Sequence, residues 1–333
     1  MSSIRIVKKH QVYKENMYLS VVSPVYNEHD NISLLYEEIL LALKDLQKDW
    51  ELILVDDGSV DGSMTELLKL TERDPQHVRV VGLRRNFGQT AAIAAGVDYS
   101  SGDIIVLIDA DLQNDPADIP MMLGKIEEGY DLVSGWRKSR QDNLSRRLPS
   151  QIANKIIGQV TGVHLHDYGC TLKAYRREVI TGFRLYGEMH RFIPVYAKTF
   201  GAKMIEVEVH HRPRLYGKPK YGLERTLKVI LDLFTVKFLS SYSDKPIYLF
   251  GGSGLGLSSA GALLLLFLAI RRLGWGVSVV ASPLFTISIM LFILGFQLVL
   301  MGLLAEMLTR SYYESQGKRT YTVKSLINFE SEK

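Results

Sequence analysis

The sequence predicts an α/β domain with a mainly parallel sheet, followed by amphipathic interfacial helices and a two-helix transmembrane hairpin. Three observations predict it. Strand and helix patterns alternate from Tyr18 to about Val209, three of the strands end in polar clusters, and two uncharged apolar stretches follow. Strands spaced by helices imply βαβ units with right-handed crossovers.

Each element has a local reason. Leu19-Ser-Val-Val-Ser reads as the first strand, and Ile32 to Leu46 as a helix carrying Leu34, Leu35, Ile39, Leu41, Leu43 and Leu46. Glu51-Leu-Ile-Leu-Val is the next strand, followed by a helix over Ser63 to Glu72. Val78 to Leu83 is a third strand, and Thr90 to Val97 an Ala-rich helix. The run Asp103-Ile-Ile-Val-Leu-Ile, Ile/Val-rich and bounded by Gly102, reads as a buried strand.

The chain has 333 residues, room for a domain of more than about 200 residues and a second part. A net charge of +4 is too mild to point to nucleic acid. One cysteine, Cys170, excludes an internal disulfide framework and fits a reducing compartment. Residues 1–17 lack the apolar core of a signal peptide and read as a basic tail.

Ile247 to Ile270 and Val277 to Leu304 carry almost no charge, and each is long enough to cross about 30 Å of hydrocarbon. The short loop Arg271 to Gly276 makes them a hairpin. Their glycines, Gly251, Gly252, Gly254, Gly256 and Gly261, suit close packing, within the hairpin or between copies in a homo-oligomer. Lys237, Lys245, Arg310, Lys318, Arg319 and Lys324 flank it, against Arg271 and Arg272 in the loop, which places both flanks in the cytoplasm. The expected organisation is therefore a tail (1–17), the α/β domain (18–222), a juxtamembrane helix (223–245), the hairpin (246–305) and a cytoplasmic C-terminal tail (306–333). Leu227, Ile230, Leu231, Phe234 and Phe238 oppose Glu224, Arg225 and Lys228, the pattern of a helix lying in the membrane interface or packed on the domain. Leu148 to Val163 repeats it.

The strand ends carry the chemistry. Asp109-Ala110-Asp111 puts two carboxylates on one side of an extended chain, where they repel unless a hard divalent cation joins them. Turn formation is the plainer use of the same residues. Ser23-Pro24-Val25-Tyr26-Asn27-Glu28 and Val55-Asp56-Asp57-Gly58-Ser59 end two more strands. Ligands of open α/β sheets lie at such carboxyl ends. Asp57 could accept from a base or ribose and Tyr26 could stack on a base, while Gly58 and Ser59 allow a tight turn and a helix cap. No dinucleotide or P-loop glycine motif is present.

These motifs, with Arg85-Asn86-Phe87-Gly88 and Asp109-Ala-Asp-Leu-Gln-Asn-Asp-Pro116, closely resemble the inverting family-two glycosyltransferases. The likeness is strongest to polyprenyl-phosphate sugar synthases, the group containing dolichol-phosphate mannose synthase and bacterial bactoprenol glucosyltransferases. It implies a GT-A-like fold. It implies that Pro24, Tyr26, Glu28, Val55, Asp57, Arg85, Asp109 and Ala110 bind the nucleotide sugar, and that Asp109, Asp111 and Gln113 surround Mg²⁺ or Mn²⁺. Ser134-Gly135-Trp136-Arg137, the pair Arg146 and Ser150, Asp167 to Arg176, and the basic loop Arg214 to Tyr221 resemble the acceptor side. There Arg137, Arg146, Ser150 and Lys220 would take the lipid phosphate, and Asp111, Arg137 and Arg214 would carry the catalytic step. Pro219 departs from the serine usual in that loop.

The implied activity is transfer of a hexose, glucose from UDP-glucose first, onto undecaprenyl phosphate at the inner membrane, with the domain and both termini cytoplasmic. A processive polysaccharide synthase and a non-catalytic scaffold are the alternatives. The first lacks its Gln-x-x-Arg-Trp motif here, and the second does not need Asp109, Asp111 and Gln113 intact. His164, His166, His190, His210 and His211 invite a metal reading but lack Cys or Glu-x-x-His partners.

Overall fold

Short apolar runs rich in Val, Ile and Leu form the strands. The computed structural model describes residues 17–138, 154, 157–159, 161–181, 189–213, 247–275, 278–279, 282–315 and 320–329. They fall into two units, Met1–Leu233 with Arg319–Lys333, and Phe234–Lys318.

The first unit is built on eight strands: β1 (Leu19–Val25), β2 (Trp50–Asp56), β3 (Val78–Leu83), β4 (Ile104–Leu107), β5 (Leu132–Trp136), β6 (Lys173–Arg176), β7 (Met204–Glu208) and β8 (Val323–Ile327). Their order is β7-β5-β6-β4-β1-β2-β3-β8. The block β4-β1-β2-β3 is parallel, as expected. The sheet as a whole is mixed: β6 runs antiparallel to β4 and β5, and β8 antiparallel to β3.

Both faces of the parallel block are covered, which is why its strands read as continuous apolar runs. Val21, Leu52, Leu54, Val80 and Val106 share one core with α1 (His29–Leu43), α2 (Ser63–Arg73) and α4 (Ile119–Glu127). On the other face lies α3 (Gln89–Tyr99), against β1 and β2. Gly96 permits that contact: a Cβ there would lie 2.2 Å from Val22 Cγ1 and 3.2 Å from Val55 Cγ2. Within β2, Glu51 is fully buried, paired with Arg79 and accepting from Ser20 Oγ at 2.5 Å and Ser101 N at 2.6 Å. Past β6, α5 (Arg177–Thr181), a 3₁₀ turn (Met189–Phe192) and α6 (Ile193–Thr199) follow.

The segment expected to be a C-terminal tail instead returns to this sheet. Ser325 pairs with Gly82, Asn328 Nδ2 donates to the carbonyls of Thr71 and Val78 at 3.0 Å each, and Tyr321 OH donates to Asp98 at 2.7 Å. Alternating Val323, Ser325 and Ile327 supply the strand period on the unpaired edge of β3.

The second unit holds two antiparallel helices, α7 (Ile247–Trp275) and α8 (Pro283–Ser315). At 29 and 33 residues they are about 44 and 50 Å long, more than the membrane core requires. They exceed the expected limits because α7 runs on through Arg271 and Arg272, whereas α8 begins only at Pro283, a residue suited to a first helical turn. Glycines sit where the helices touch: a Cβ on Gly254 would lie 2.5 Å from Gly295 O, and one on Gly261 2.7 Å from Ser288 O. Gly252 and Gly256 have open space beside them. Leu255, Leu263, Phe267 and Leu304 are more than half exposed. Residues 223–245 lie outside the described residues. Of the helix expected over Leu148 to Val163, Asn154, residues 157–159 and residues 161–163 are described; they are helical as far as Thr161, and Gly162 and Val163 lie outside the helix.

Candidate active site

The three polar strand ends meet because β2, β1 and β4 are neighbours and parallel. Register places Val25 opposite Asp56 and Val22 opposite Leu107, so all three chains leave the sheet at one edge. The first two turns are laced together. Asn27 N donates to Ser59 Oγ at 3.0 Å, Val60 N to Asn27 Oδ1 at 2.9 Å, and Glu28 N to Ser63 Oγ at 3.0 Å. Asn27 takes φ 52°, a left-handed conformation that asparagine tolerates.

Asp57 has a structural task beside the expected one. Its two oxygens accept the backbone N–H groups of Phe87 (2.7 Å) and Gly88 (2.9 Å), which fixes the Arg85-Asn86-Phe87-Gly88 loop beside the β2 end. Burial raises its pKa despite these bonds. Gly58, at φ 72°, lets the loop approach, since a Cβ there would lie 2.6 Å from the Arg85 carbonyl carbon. Arg85 itself is exposed and lies over the Phe87 ring at 4.2 Å. Pro24 and Tyr26 are partly exposed at the edge. Glu28 is buried and accepts from Asn31 Nδ2 at 2.6 Å. Val55 is fully buried against Gly96, so its side chain lines the sheet–helix interface and not an open site.

At the β4 end, Asp109 accepts from Gln89 Nε2 at 2.8 Å and bonds the Thr171 hydroxyl. Burial, then the neighbouring Asp111 carboxylate, push the Asp109 carboxyl up to about 6, against the Thr171 bond and the Arg137 and Lys173 charges. Asp111 accepts from the Gln113 backbone at 3.2 Å. Ala110 is buried between them. The next residue, Leu112, is buried at φ 59°, a strained conformation for a bulky side chain that costs about 1–3 kcal/mol and concentrates at working sites.

Two crowded carboxylates fit a hard divalent cation. Among the described residues no third His, Cys, Asp or Glu joins them to complete a cage, so a cation there would share its remaining positions with a ligand's oxygens and water. His166 is stacked on Trp136 at 4.2 Å and bonded to Glu206 at 2.7 Å, His210 is bonded to Asp118 at 2.8 Å, and His190 to Thr90 at 2.7 Å. Among the described residues none of these imidazoles belongs to a group that could hold a metal ion.

Arg137 leaves the end of β5 and is largely buried. Its Nε and Nη2 donate to Asp167 at 2.6 and 2.9 Å, a side-on pair that uses two of five N–H donors. Burial would depress its pKa, and Asp167 outweighs that and raises it. Asp167 is the partner that sequence reasoning missed, although it opens a quoted motif. Gln89 and Thr171, which hold Asp109, were also unflagged. Arg146, Ser150, Arg214 and Lys220 lie outside the described residues. The chain leading to Arg214 does run beside the carboxylates: Arg212 N donates to Gln113 O at 2.9 Å, and His211 bridges to Asn114.

A parallel α/β core that gathers a nucleotide-type edge and an Asp-x-Asp pair defines a sugar-nucleotide-dependent transferase class. The family model described as "Glycosyl transferase family 2" matches residues 20–183, and the chain belongs to that family. It is 41% identical over 322 residues to the dodecaprenyl-phosphate galacturonate synthase of Rhizobium johnstonii, covering 96% of this chain and 95% of the relative. It is 39% identical over 310 residues to the undecaprenyl-phosphate 4-deoxy-4-formamido-L-arabinose transferase of Photorhabdus laumondii, covering 93% and 94%. The fold is also that of glucosyl-3-phosphoglycerate synthase from Mycobacterium tuberculosis, solved with Mn²⁺, UDP and product: TM-score 0.51, 21% identity, 67% of this chain and 80% of that one.

Proposed function

We propose that this chain transfers a sugar from a UDP-sugar to a polyprenyl phosphate at the membrane surface, by one in-line displacement that inverts the anomeric centre. The observation that carries the reading is the joining of Asp57, Asp109 and Asp111 at one sheet edge, in a chain similar along almost its whole length to two polyprenyl-phosphate sugar transferases. Glucose, the expected sugar, is named for neither relative. The name of the mycobacterial complex supports UDP as the carrier and Mn²⁺ as a usable ion.

A lipid phosphate is a nucleophile that is already ionised, because phosphate monoesters lose their second proton near pH 6. No strong general base is required. Charge management is: a dianion must approach a diphosphate. Asp167 holds the Arg137 guanidinium by one side, and the three remaining N–H donors can bind phosphate oxygen. Arg146, Ser150, Arg214 and Lys220 are the further phosphate ligands in this reading. Asp57 keeps the 85–88 loop in place, and its remaining lone pairs can accept from the nucleotide. Asp109 and Asp111, with Gln113 beside them, would hold Mg²⁺ or Mn²⁺, which stabilises the departing nucleoside diphosphate.

The acceptor's site explains the hairpin. Two long helices with exposed leucines anchor the domain where lipid headgroups are, with both ends of the hairpin in the cytoplasm of an inner membrane. Incubation of membranes with labelled UDP-sugars, undecaprenyl phosphate and Mg²⁺ or Mn²⁺ tests the proposal. Labelled glycolipid should form, vanish with chelator and vanish in Asp111→Ala. No glycolipid with any donor would defeat it.

A further inference from the structure

We propose that Lys173 is a positioning residue: it braces the turn 167–172, so that the arginine for the acceptor phosphate and the carboxylate for the metal are held in one frame. This rests on the sugar-transfer reading above. The reason is topological. β4 delivers Asp109 and β5 delivers Arg137, yet the two strands are not neighbours, because β6 lies between them. Lys173 opens β6 and is paired with both. Its partners are Leu107, just before Asp109, and Ser134, just before Arg137.

The turn that enters β6 touches both groups. At its start Asp167 takes Arg137 Nε and Nη2 at 2.6 and 2.9 Å. Near its end Thr171 bonds Asp109, and Cys170 Sγ lies 3.8 Å from Asn114 Oδ1, in the loop that follows the two carboxylates. Gly169 N donates back to Asp167 Oδ1 at 3.1 Å, and Gly135 N on β5 donates to Leu172 O at 3.0 Å. There is little slack, since a Cβ on Gly169 would lie 3.3 Å from Arg137 Nη2.

Lys173 closes this turn from beneath. Its ammonium donates to the carbonyls of Tyr168, at 3.4 Å, and Cys170, the residues on either side of Gly169. Lys173 is only 2% exposed, so it acts through the turn and not on a substrate. The carboxylates whose charge reaches it are Asp167 and Asp109, the two that the turn joins. Burial, the largest influence, lowers its pKa, and these carboxylates favour the ammonium against it.

A neutral side chain would serve this place less well. Methionine fills a similar volume, but the carbonyls of Tyr168 and Cys170, both buried residues, would lose their donor. Burying an ammonium is itself costly unless it is well bonded, so packing alone does not account for a lysine here. The hydrogen bonds to the turn do. Two groups that share one support should weaken together when the support is removed. They should respond non-additively when the support and one end are changed at once.

The test uses the purified full chain in detergent. Paramagnetic resonance of Mn²⁺ in the presence of UDP gives the metal's Kd, and direct titration with undecaprenyl phosphate gives the lipid's. Lys173→Met should weaken both by about tenfold or more, the effect of losing charged hydrogen bonds. Asp167→Asn should weaken the lipid alone. The double variant should bind the lipid no more weakly than the weaker single variant, because both act through the same hold on Arg137. Thermal unfolding shows which variants are folded at the assay temperature. Should Lys173→Met not fold, Lys173→Gln, which keeps a neutral donor, replaces it and should weaken both ligands severalfold. A folded Lys173 variant that moves one affinity or neither overturns the proposal, as does a double variant whose losses multiply. Joint weakening of both ligands, with no glycolipid from the wild-type chain and any donor, would keep the brace and overturn the transfer reading instead.

Discussion

Replacing Asp167 should uncouple Arg137 from its position. The carboxylate accepts from Nε at 2.6 Å, from Nη2 at 2.9 Å and from Gly169 N at 3.1 Å, and the two side chains are only 4% and 12% exposed. Removing one member of a buried ion pair leaves the other charge unpaired, which costs about 3–5 kcal/mol. For a domain of this size each kcal/mol is worth about 2–4 °C, so Asp167→Ala should lower Tm by roughly 6–20 °C. Asp167→Asn keeps the shape and one acceptor oxygen, and should lie between it and wild type. The functional readout separates a positioning role from mere loss of folding. At a temperature where Asp167→Asn is fully folded, KM for the lipid phosphate should rise while KM for the nucleotide sugar stays near wild type. Thermal unfolding in detergent and two-substrate glycolipid kinetics measure both. Wild-type stability together with an unchanged lipid KM in Asp167→Asn would refute the reasoning.

Gly96→Ala should destabilise the domain by about 1–3 kcal/mol through overpacking, because its methyl would fall 2.2 Å from Val22 Cγ1; a chemical denaturation midpoint equal to wild type would contradict this. Asn328→Ala should lose two backbone-directed hydrogen bonds at the end of β8, at about 1–3 kcal/mol, and hydrogen exchange should rise first in β8 and β3 if the strand is docked as described. Burial, followed by its hydrogen bond to Asp74, pushes Tyr36 up to about 12. A raised folded-state pKa means stability that is complete below pH 10 and is lost as pH rises through 12. Tyr36→Phe should therefore be less stable at pH 8 and show a smaller further loss on the alkaline side, read from denaturation midpoints between pH 8 and 12.

Much of this site was legible because its parts are local. The apolar runs of β1, β2 and β4 and the acids that end them are contiguous in sequence, and neighbouring parallel strands bring contiguous ends to one edge. The hairpin was legible from length and lack of charge. Long-range pairings were not. β8 is five residues, Val323-Lys-Ser-Leu-Ile, and its partner Val80 lies more than two hundred positions earlier, so nothing nearby marks it as a strand. The antiparallel insertion of β6 between β4 and β5, which makes the sheet mixed, is of the same kind. The hold of Asp57 on Phe87 N and Gly88 N was not legible, because it depends on a loop folded back from the end of β3. Arg137 looked available because Asp167, thirty residues on, is invisible as its partner until the chain is folded.

The product of the purified chain, a UDP-sugar and undecaprenyl phosphate tests the account most directly, by phosphorus and proton NMR of the extracted glycolipid. Single displacement at Asp109 and Asp111 predicts one phosphodiester phosphorus joining sugar to lipid and an anomeric configuration opposite to that of the donor. A diphosphate linkage, or a product that keeps the donor's configuration, would contradict it.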